Sequence, residues 1–311
     1  MTEHRMTPSA ETLHGAFAPD LEPVFTIASG DSVQYELLDA GWGLEGFHAD
    51  GSPRRTFEPR DQERDPGHAL CGPVAIEGAR PGMTLEVRIG ELRTGSWGWN
   101  ASGGADIERF QRFGVADAQR ETLRWSLDRR SMIATNQHRH RVAMRPFLGV
   151  MGMPPDEPGR HSTAPPRVTG GNIDCRELVS GTALYLPVAV DGGLFSCGDG
   201  HAAQGDGEVS GTAIECPMEH AVLTFRLHEE MALTTPRART SDAWLTFGFD
   251  EDLDEAMYTA MNDMLDLIQD LHEVSRTTAL SLASTAVDLR ITQIVNGAKG
   301  VHAVLNHGAI R

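Results

Sequence analysis

Apolar and polar residues alternate along much of the first three quarters of the chain. SVQYELLDA (32–40), TLEVRIGEL (84–92), TALYLPVAV (182–190) and AVLTFRL (221–227) all show a period of two. Side chains of a strand point alternately to opposite faces, so each run predicts a strand with one face buried. Gly, Pro, Asp or Asn bounds each run, and Pro81-Gly82 in GARPGM marks a tight turn into the second of them. Many short strands joined by tight loops, from about Leu21 to Arg226, predict a sandwich or barrel rather than alternating β-α units. PPDEPG and TAPPR delimit a long loop between two β-rich halves.

After Thr234 the period changes. DEDLDEAMYTAMNDMLDLIQDL sets Leu253, Met257, Met261, Met264, Ile268 and Leu271 at helical spacing, with acids crowding the first turn where the helix dipole favours them. TTALSLASTAVDL predicts a second helix, and the strand-like ITQIVNG and GVHAVLN follow. The methionine stripe reads as a core face. The expected organisation is a flexible N-terminal arm over 1–20, a β-rich catalytic core over 21–235 and a C-terminal α+β element over 236–311 packed on that core. The expected fold class is mainly β, with a β-sandwich core.

Composition removes several function classes. Among 311 residues the net charge is −17, without a basic cluster beyond short Arg pairs, so the molecule repels nucleic acid and anionic lipid. No run approaches the roughly 18 apolar residues of a membrane span. The polar start, MTEHRMTPSAETLHG, is neither a signal nor a transit peptide and would fray, so a soluble, cytoplasmic protein is expected. Cys71, Cys175, Cys197 and Cys216 are dispersed without a C-x-x-C, against both a disulfide framework and a Cys-rich zinc site.

The chemistry narrows by elimination. No serine lies in G-x-S-x-G and no G-K-[ST] occurs. GWGLEG (41–46) fits G-x-G-x-x-G in form, but FHADGSPRR after it cannot open an apolar helix, so it reads as a loop. Lys299, the only lysine, is flanked by glycines and reads as a solvated turn, against lysine-dependent amide hydrolysis. His138 and His140, among arginines, read as a surface patch. Metal chemistry stays open. SCGDGHAAQGDGE (196–208), read as a strand-to-strand loop, offers Asp199, His201, Asp206 and Glu208; GGNIDCRE offers Asp174 and Glu177. Asp39 closes ELLDA, and DPGHALCGP supplies Asp65 and His68. Carboxylates with imidazoles are the ligands of zinc and related divalent ions. Taken singly, each Asp is equally a turn cap beside glycine and each His a partner for a nearby carbonyl.

Three phrases carry more than spacing does. GPVAIEGARPGMTLEVRI, GGNIDCRELVSGTALYLPVAVDGGLFSCGDGHAAQGDGEVSGTAIE and AVDLRITQIVNGAKGVHAVL together resemble the acetamidase/formamidase family, in order from about Ser29 to Leu305. The resemblance implies a β-sandwich with extra C-terminal α/β structure, and hydrolysis of a short carboxamide to carboxylate and ammonia. It also implies a divalent metal and a homo-oligomer, at least a dimer. Matching positions are Asp39, His68, Asp174, Asp199, His201, Glu208 and Glu215. Relatives read His-Pro-x-Thr-Gly-Pro where His68-Ala69-Leu70-Cys71-Gly72-Pro73 stands, and GGNMD where Ile173 stands, so the thiol of Cys71 in place of a hydroxyl bears on which amide fits. The expectation is metal ligation by Asp39, His68, Asp174 and His201, with zinc first and calcium or another divalent ion next. Glu208, Asp199 and Asp206 are expected in catalysis, Glu208 first as proton shuttle, with Glu215 and Cys71 on the substrate. Two alternatives stand beside this: a cysteine nucleophile among Cys71, Cys175 and Cys197, and a non-catalytic metal- or small-molecule-binding protein of the same fold.

Overall fold

In the computed structural model, which describes residues 2–311, the alternating runs become two large sheets packed face to face. The first has nine strands in the order Glu3–Met6, Ser32–Leu37, Met218–His228, Thr84–Thr94, Ala183–Pro187, Arg237–Arg239, Ala243–Asp250, Ala298–Asn306 and Val287–Asn296. The second runs Pro166–Arg167, Gly170–Asn172, Phe147–Gly152, Phe195–His201, Leu70–Ile76 and Leu13–His14, and Phe25–Ile27 pairs in parallel with Leu70–Ile76. A smaller sheet is formed by Trp97–Ser102, Glu121–Asp128, Ile133–Asn136 and Arg141–Ala143.

Period two decides what is buried. Val33, Tyr35 and Leu37 face inward from one strand, and Leu223 and Phe225 from its neighbour. Across the gap Phe195 meets Phe225 edge to face with ring centroids 5.0 Å apart. Such a pair adds about 1 kcal/mol to what burial of the two rings contributes. The mainly β sandwich expected from the sequence is therefore the fold observed.

The C-terminal residues extend the first sheet as well as covering it. Arg237–Arg239 pairs with Ala183–Pro187, so the ladder crosses the boundary expected at 235/236. A five-residue helix α1 (Glu108–Arg112) lies outside the sheets. Helix α2 (Leu253–His272) is capped by Asp252, whose carboxylate accepts from the Asp254 N–H, and α3 (Arg276–Ala286) is capped by Ser275. The buried face of α2 is Ala256, Ala260, Met264, Leu267 and Ile268; Met257 and Met261 sit at its margin and Leu271 is exposed. Alanines seat the helix close to the sheet, which turns the methionine stripe partly aside.

Two expectations change. The first residues do not fray: Glu3–Met6 pairs in parallel with Ser32–Leu37, and Leu13, His14, Ala16 and Phe17 are buried. Their apolar positions are too few and too irregular to show as a strand. The first half of SCGDGHAAQGDGE is likewise not a loop but lies in the strand Phe195–His201, inside the second sheet.

Candidate functional site

The glycines of that strand serve close approach. A Cβ at Gly198 would stand 2.4 Å from the Ala69 carbonyl oxygen, and one at Gly200 would stand 2.6 Å from that of Cys216. Backbone packed this tightly holds Asp199 and His201 rigidly. Glu215 is brought beside them by isolated bridges to His201 and to Trp99. Asp174 follows the strand Gly170–Asn172, and Glu208 follows Gly207, whose backbone bridges Gln293 of the C-terminal hairpin. Asp174, Asp199 and Glu208 all take left-handed backbone, with φ of 50°, 58° and 45°. Non-glycine residues held there carry strain, and such residues concentrate at functional sites.

Five ionisable groups meet under the second sheet. His201 Nε2 lies 3.2 Å from Asp199 Oδ1 and 3.2 Å from Glu215 Oε2, and its Nδ1 lies 3.8 Å from Asp174 Oδ1. Two triads share the imidazole: Asp174, His201 and Glu208, and Asp199, His201 and Glu215. All are buried, and Asp174 Oδ1, Glu208 Oε2, Glu215 Oε2 and both nitrogens of His201 have no hydrogen-bond partner. Buried lone pairs without partners are costly, about 1–3 kcal/mol for each group, so this cluster calls for a cation, protons or solvent.

The electrostatics agree. Burial raises the carboxyls of Asp174 and Glu208, and each is raised further by neighbouring acids. Burial pushes Glu215 up to about 8 against the pull of His201. Burial acts on Asp199 in the same sense, but the rings of His201 and His68 outweigh it and hold that carboxyl below the ordinary range. For His201 burial favours the neutral ring, yet Asp199 and Glu215 prevail and hold its pKa well above the usual value. Four carboxyls against so few imidazoles leave the cluster short of positive charge. Imidazole with carboxylates is a donor set that fits zinc and related divalent ions.

Asp174, Asp199, Glu208 and Glu215 line a cleft of about 490 Å³, together with His68, Trp42, Trp99 and Asn296. The ring of His68 is fixed by Thr163, whose Oγ1 lies 2.7 Å from Nδ1 and accepts the backbone N–H at 3.0 Å. Asp174 is held by Asn296, which donates to Oδ2 at 2.5 Å, and by Gln204, which donates to its carbonyl at 2.7 Å. Gly149 makes the space: a Cβ there would lie 2.3 Å from Asp199 Oδ2 and 2.4 Å from Asp174 Oδ1. Gly149, Thr163 and Asn296 were not legible as site residues. Only Asn296 carries a local signal, the Asn-Gly turn it opens.

Three of the expected residues stand apart from the cluster. Asp39 is buried but already engaged, accepting at 2.6 Å from the Gly43 N–H, from Arg54 and from Trp99 Nε1. With three hydrogen bonds accepted, it braces the Trp99 wall of the cleft. Asp206 is exposed and faces a second hollow, beside Arg145 and Arg176. Cys71 lies wholly inside the strand Leu70–Ile76, with its thiol directed to the Glu36 carbonyl at 3.6 Å and pushed up to about 12 by burial. Burial likewise raises the thiols of Cys175 and Cys197 well above normal, which opposes the thiolate a nucleophile needs. Lys299 donates to the Glu251 carbonyl, away from the cleft.

Known proteins share both the sequence pattern and the fold. Residues 2–160 and 157–305 match the model of the Acetamidase/Formamidase family. Over 247 residues the chain is 27% identical to a formamidase of Methylophilus methylotrophus, covering 64% of this chain and 60% of that protein. Over 253 residues it is 25% identical to an acetamidase of Mycolicibacterium smegmatis, covering 63% and 61%. The chain thus spans about 60% of the length of these curated relatives. The crystal structure of an acetamidase from Bacillus halodurans superposes with a TM-score of 0.83 at 26% identity, over 97% of each chain.

Proposed function

The chain belongs to the Acetamidase/Formamidase family, and from that premise we propose that it hydrolyses a short linear carboxamide to carboxylate and ammonia with the help of a divalent metal ion. The observation that carries this reading is the set of buried, unpartnered polar atoms on Asp174, Glu208 and Glu215, which line the cleft, and on His201 beside them.

A neutral imidazole has one N–H and one lone pair. An ion at Nδ1 would take the place of the ring's second proton: His201 would then offer Nδ1 on the Asp174 side and keep its N–H on Nε2, 3.2 Å from Asp199 and from Glu215. Carboxylates behind a ligating histidine fix its tautomer and raise its basicity. Asp174 and His201 would hold the ion, with His68 of the cleft wall as the expected third ligand and zinc the first expectation. A divalent ion held there supplies Lewis-acid polarisation of a carbonyl and a bound water of pKa about 7.

Glu208 moves the proton. Its Oε2 is buried at the cleft without a hydrogen-bond partner, and burial and neighbouring acids raise the carboxyl's pKa, which makes it a stronger base than an ordinary carboxylate. It takes the proton of the attacking water as the oxygen adds to the amide carbon. It returns that proton to nitrogen as the C–N bond breaks, because an amide nitrogen leaves only when protonated. Trp42 and Trp99 wall the cleft and limit solvent around these groups. An oligomer belongs to the same proposal, supported by exposed Leu280 of α3 and by Leu289 and Ile291 on the edge strand Val287–Asn296.

Elemental analysis and ammonia release from formamide and acetamide, before and after chelation, test the reading. His201→Ala and Asp174→Ala should lose both metal and turnover. Glu208→Gln should keep the metal and lose turnover by about 10²–10⁴-fold. Full turnover with full metal content in the first two variants would exclude the assigned ligands.

A further inference from the structure

A second group of metal-type donors lies behind Asp174, where the segment 175–177 meets the C-terminal hairpin. Cys175, Glu177 and His302 are all buried, and their Sγ, carboxylate oxygen and ring nitrogen lie within 4.8 Å of one another. The Cys175 thiol is 3.4 Å from Glu177 Oε2, and His302 Nε2 is 3.7 Å from the same oxygen. Cross-strand register brings the hairpin's contribution together, since Arg290 and His302 are direct partners across the two strands. Arg290 donates to Glu177 Oε1 at 2.9 Å and leaves Oε2 facing the thiol and the imidazole.

The imidazole is what requires explanation. His302 is fully buried, and its Nδ1 is engaged by Thr292 Oγ1 at 2.8 Å. Its Nε2 is buried without any hydrogen-bond partner. If Nδ1 carries the proton and donates it to Thr292, the Nε2 lone pair points at a carboxylate oxygen, which repels it. If Nε2 carries the proton, a buried donor is left unpaired, because 3.7 Å is too long for a hydrogen bond. A cation between the three donors resolves the conflict in the first case, where the proton sits on Nδ1 and the Nε2 lone pair is free to ligate. A hydroxyl behind Nδ1 is the kind of outer partner that fixes a ligating histidine's tautomer.

We propose that Cys175, Glu177 and His302 form a second metal site, distinct from the cleft and specific for a borderline-soft divalent ion of the zinc type. Thiolate, imidazole and carboxylate together select such an ion over calcium or magnesium, which take oxygen donors. The thiol proton is released to solvent when the ion binds. Its place in the fold gives it a structural role, since it ties the residue after Asp174 to the strand Ala298–Asn306. The cleft ligands have no sulfur, so the two sites are separable by spectroscopy.

The test uses the full chain, stripped with chelator and titrated with Co²⁺. The wild type should develop a near-ultraviolet thiolate-to-cobalt charge-transfer band whose saturated intensity corresponds to one thiolate-bound cobalt per chain. Cys175→Ser should abolish the band and remove one bound cobalt, and His302→Gln should weaken or abolish it. His201→Ala, which removes a cleft ligand, and Cys216→Ser, which removes the buried thiol next to Glu215, should both keep it. Absence of the band from folded wild-type protein, with the three groups forming a buried ion pair only, overturns the proposal. So does a band that survives Cys175→Ser.

Discussion

Single atoms decide this cleft. Gly149 faces the carboxylates of Asp174 and Asp199, and any Cβ there would displace oxygens now 2.3–2.4 Å from its position. Gly149→Ala should therefore separate the two carboxylates and misplace His201, whose Cε1 would lie 2.9 Å from the same Cβ. Misplacement of about 1 Å at a reacting centre costs on the order of a hundredfold in rate. The expected outcome is at least that loss in amide turnover, with an overpacking cost of about 1–3 kcal/mol seen in denaturant unfolding. Near wild-type turnover would mean that the carboxylates are not held in contact during the reaction. At this scale the sequence was partly readable. Glu215 came only with the family resemblance, but Asp174, Asp199, His201 and Glu208 stood out as ligand-type residues near glycines. Gly149 did not, because nothing in FLGVMG tells a glycine that leaves space from one that merely fills a strand. The engagement of Asp39 was hidden for a related reason: its partners Arg54 and Trp99 are distant in sequence, so their claim on its oxygens was invisible.

Elements supply what residues alone cannot. The hairpin of Val287–Asn296 and Ala298–Asn306 ends at Asn296, whose amide donates to Asp174 Oδ2 across 122 positions of sequence. Gln293, in the same hairpin, anchors the tip by donating to the Ala298 carbonyl. Asn296→Ala leaves that anchor in place and removes only the hydrogen bond that orients Asp174. Outer partners of this kind typically influence activity or metal affinity by about 10–100-fold. A drop of that size in turnover, with unchanged unfolding behaviour, is expected; Asn296→Asp should be worse, because it sets a second negative charge against Asp174. Turnover unchanged in Asn296→Ala would confine the hairpin to a scaffold role. The hairpin itself was legible as two strand-like phrases about an Asn-Gly turn, and α2 as a helix with acids in its first turn. The strand Phe195–His201 was not, because its glycines imitate a loop while in fact permitting neighbouring backbones to approach. Propensity reads composition; the register that places Gly198 against Ala69 and Gly200 against Cys216 is a tertiary fact.

Over the whole molecule, the N-terminal segment shows how closure and acid sensitivity join. Leu13–His14 pairs with Leu70–Ile76 at the rim of the second sheet, and His14 is buried there with two partners. Its Nδ1 lies 2.8 Å from the Ala16 carbonyl, which can only accept, so the proton resides on Nδ1. Nε2 then accepts from the Ser196 hydroxyl at 2.9 Å, and the ring is neutral. Burial lowers its pKa from 6.5 to about 4, with Arg160 and Arg64 acting in the same sense and the Ala16 carbonyl and Asp65 opposing. Between those two values the unfolded chain binds a proton that the folded chain refuses, so stability rises with pH across that window. The contribution of neutral His14 is complete above pH 6.5 and is lost as pH falls toward 4. A displacement of that size corresponds to the order of 3 kcal/mol. The net charge of −17 works the other way, since protonating surface acids relieves repulsion on acidification. Comparison with His14→Gln therefore isolates the imidazole, because both proteins share the surface term. Urea unfolding at several pH values should give the wild type the steeper fall below pH 6.5 and the variant a lower but flatter curve. Parallel curves would mean that His14 takes up its proton equally readily in the folded and unfolded chain, and acid lability would then have to originate elsewhere in the sandwich.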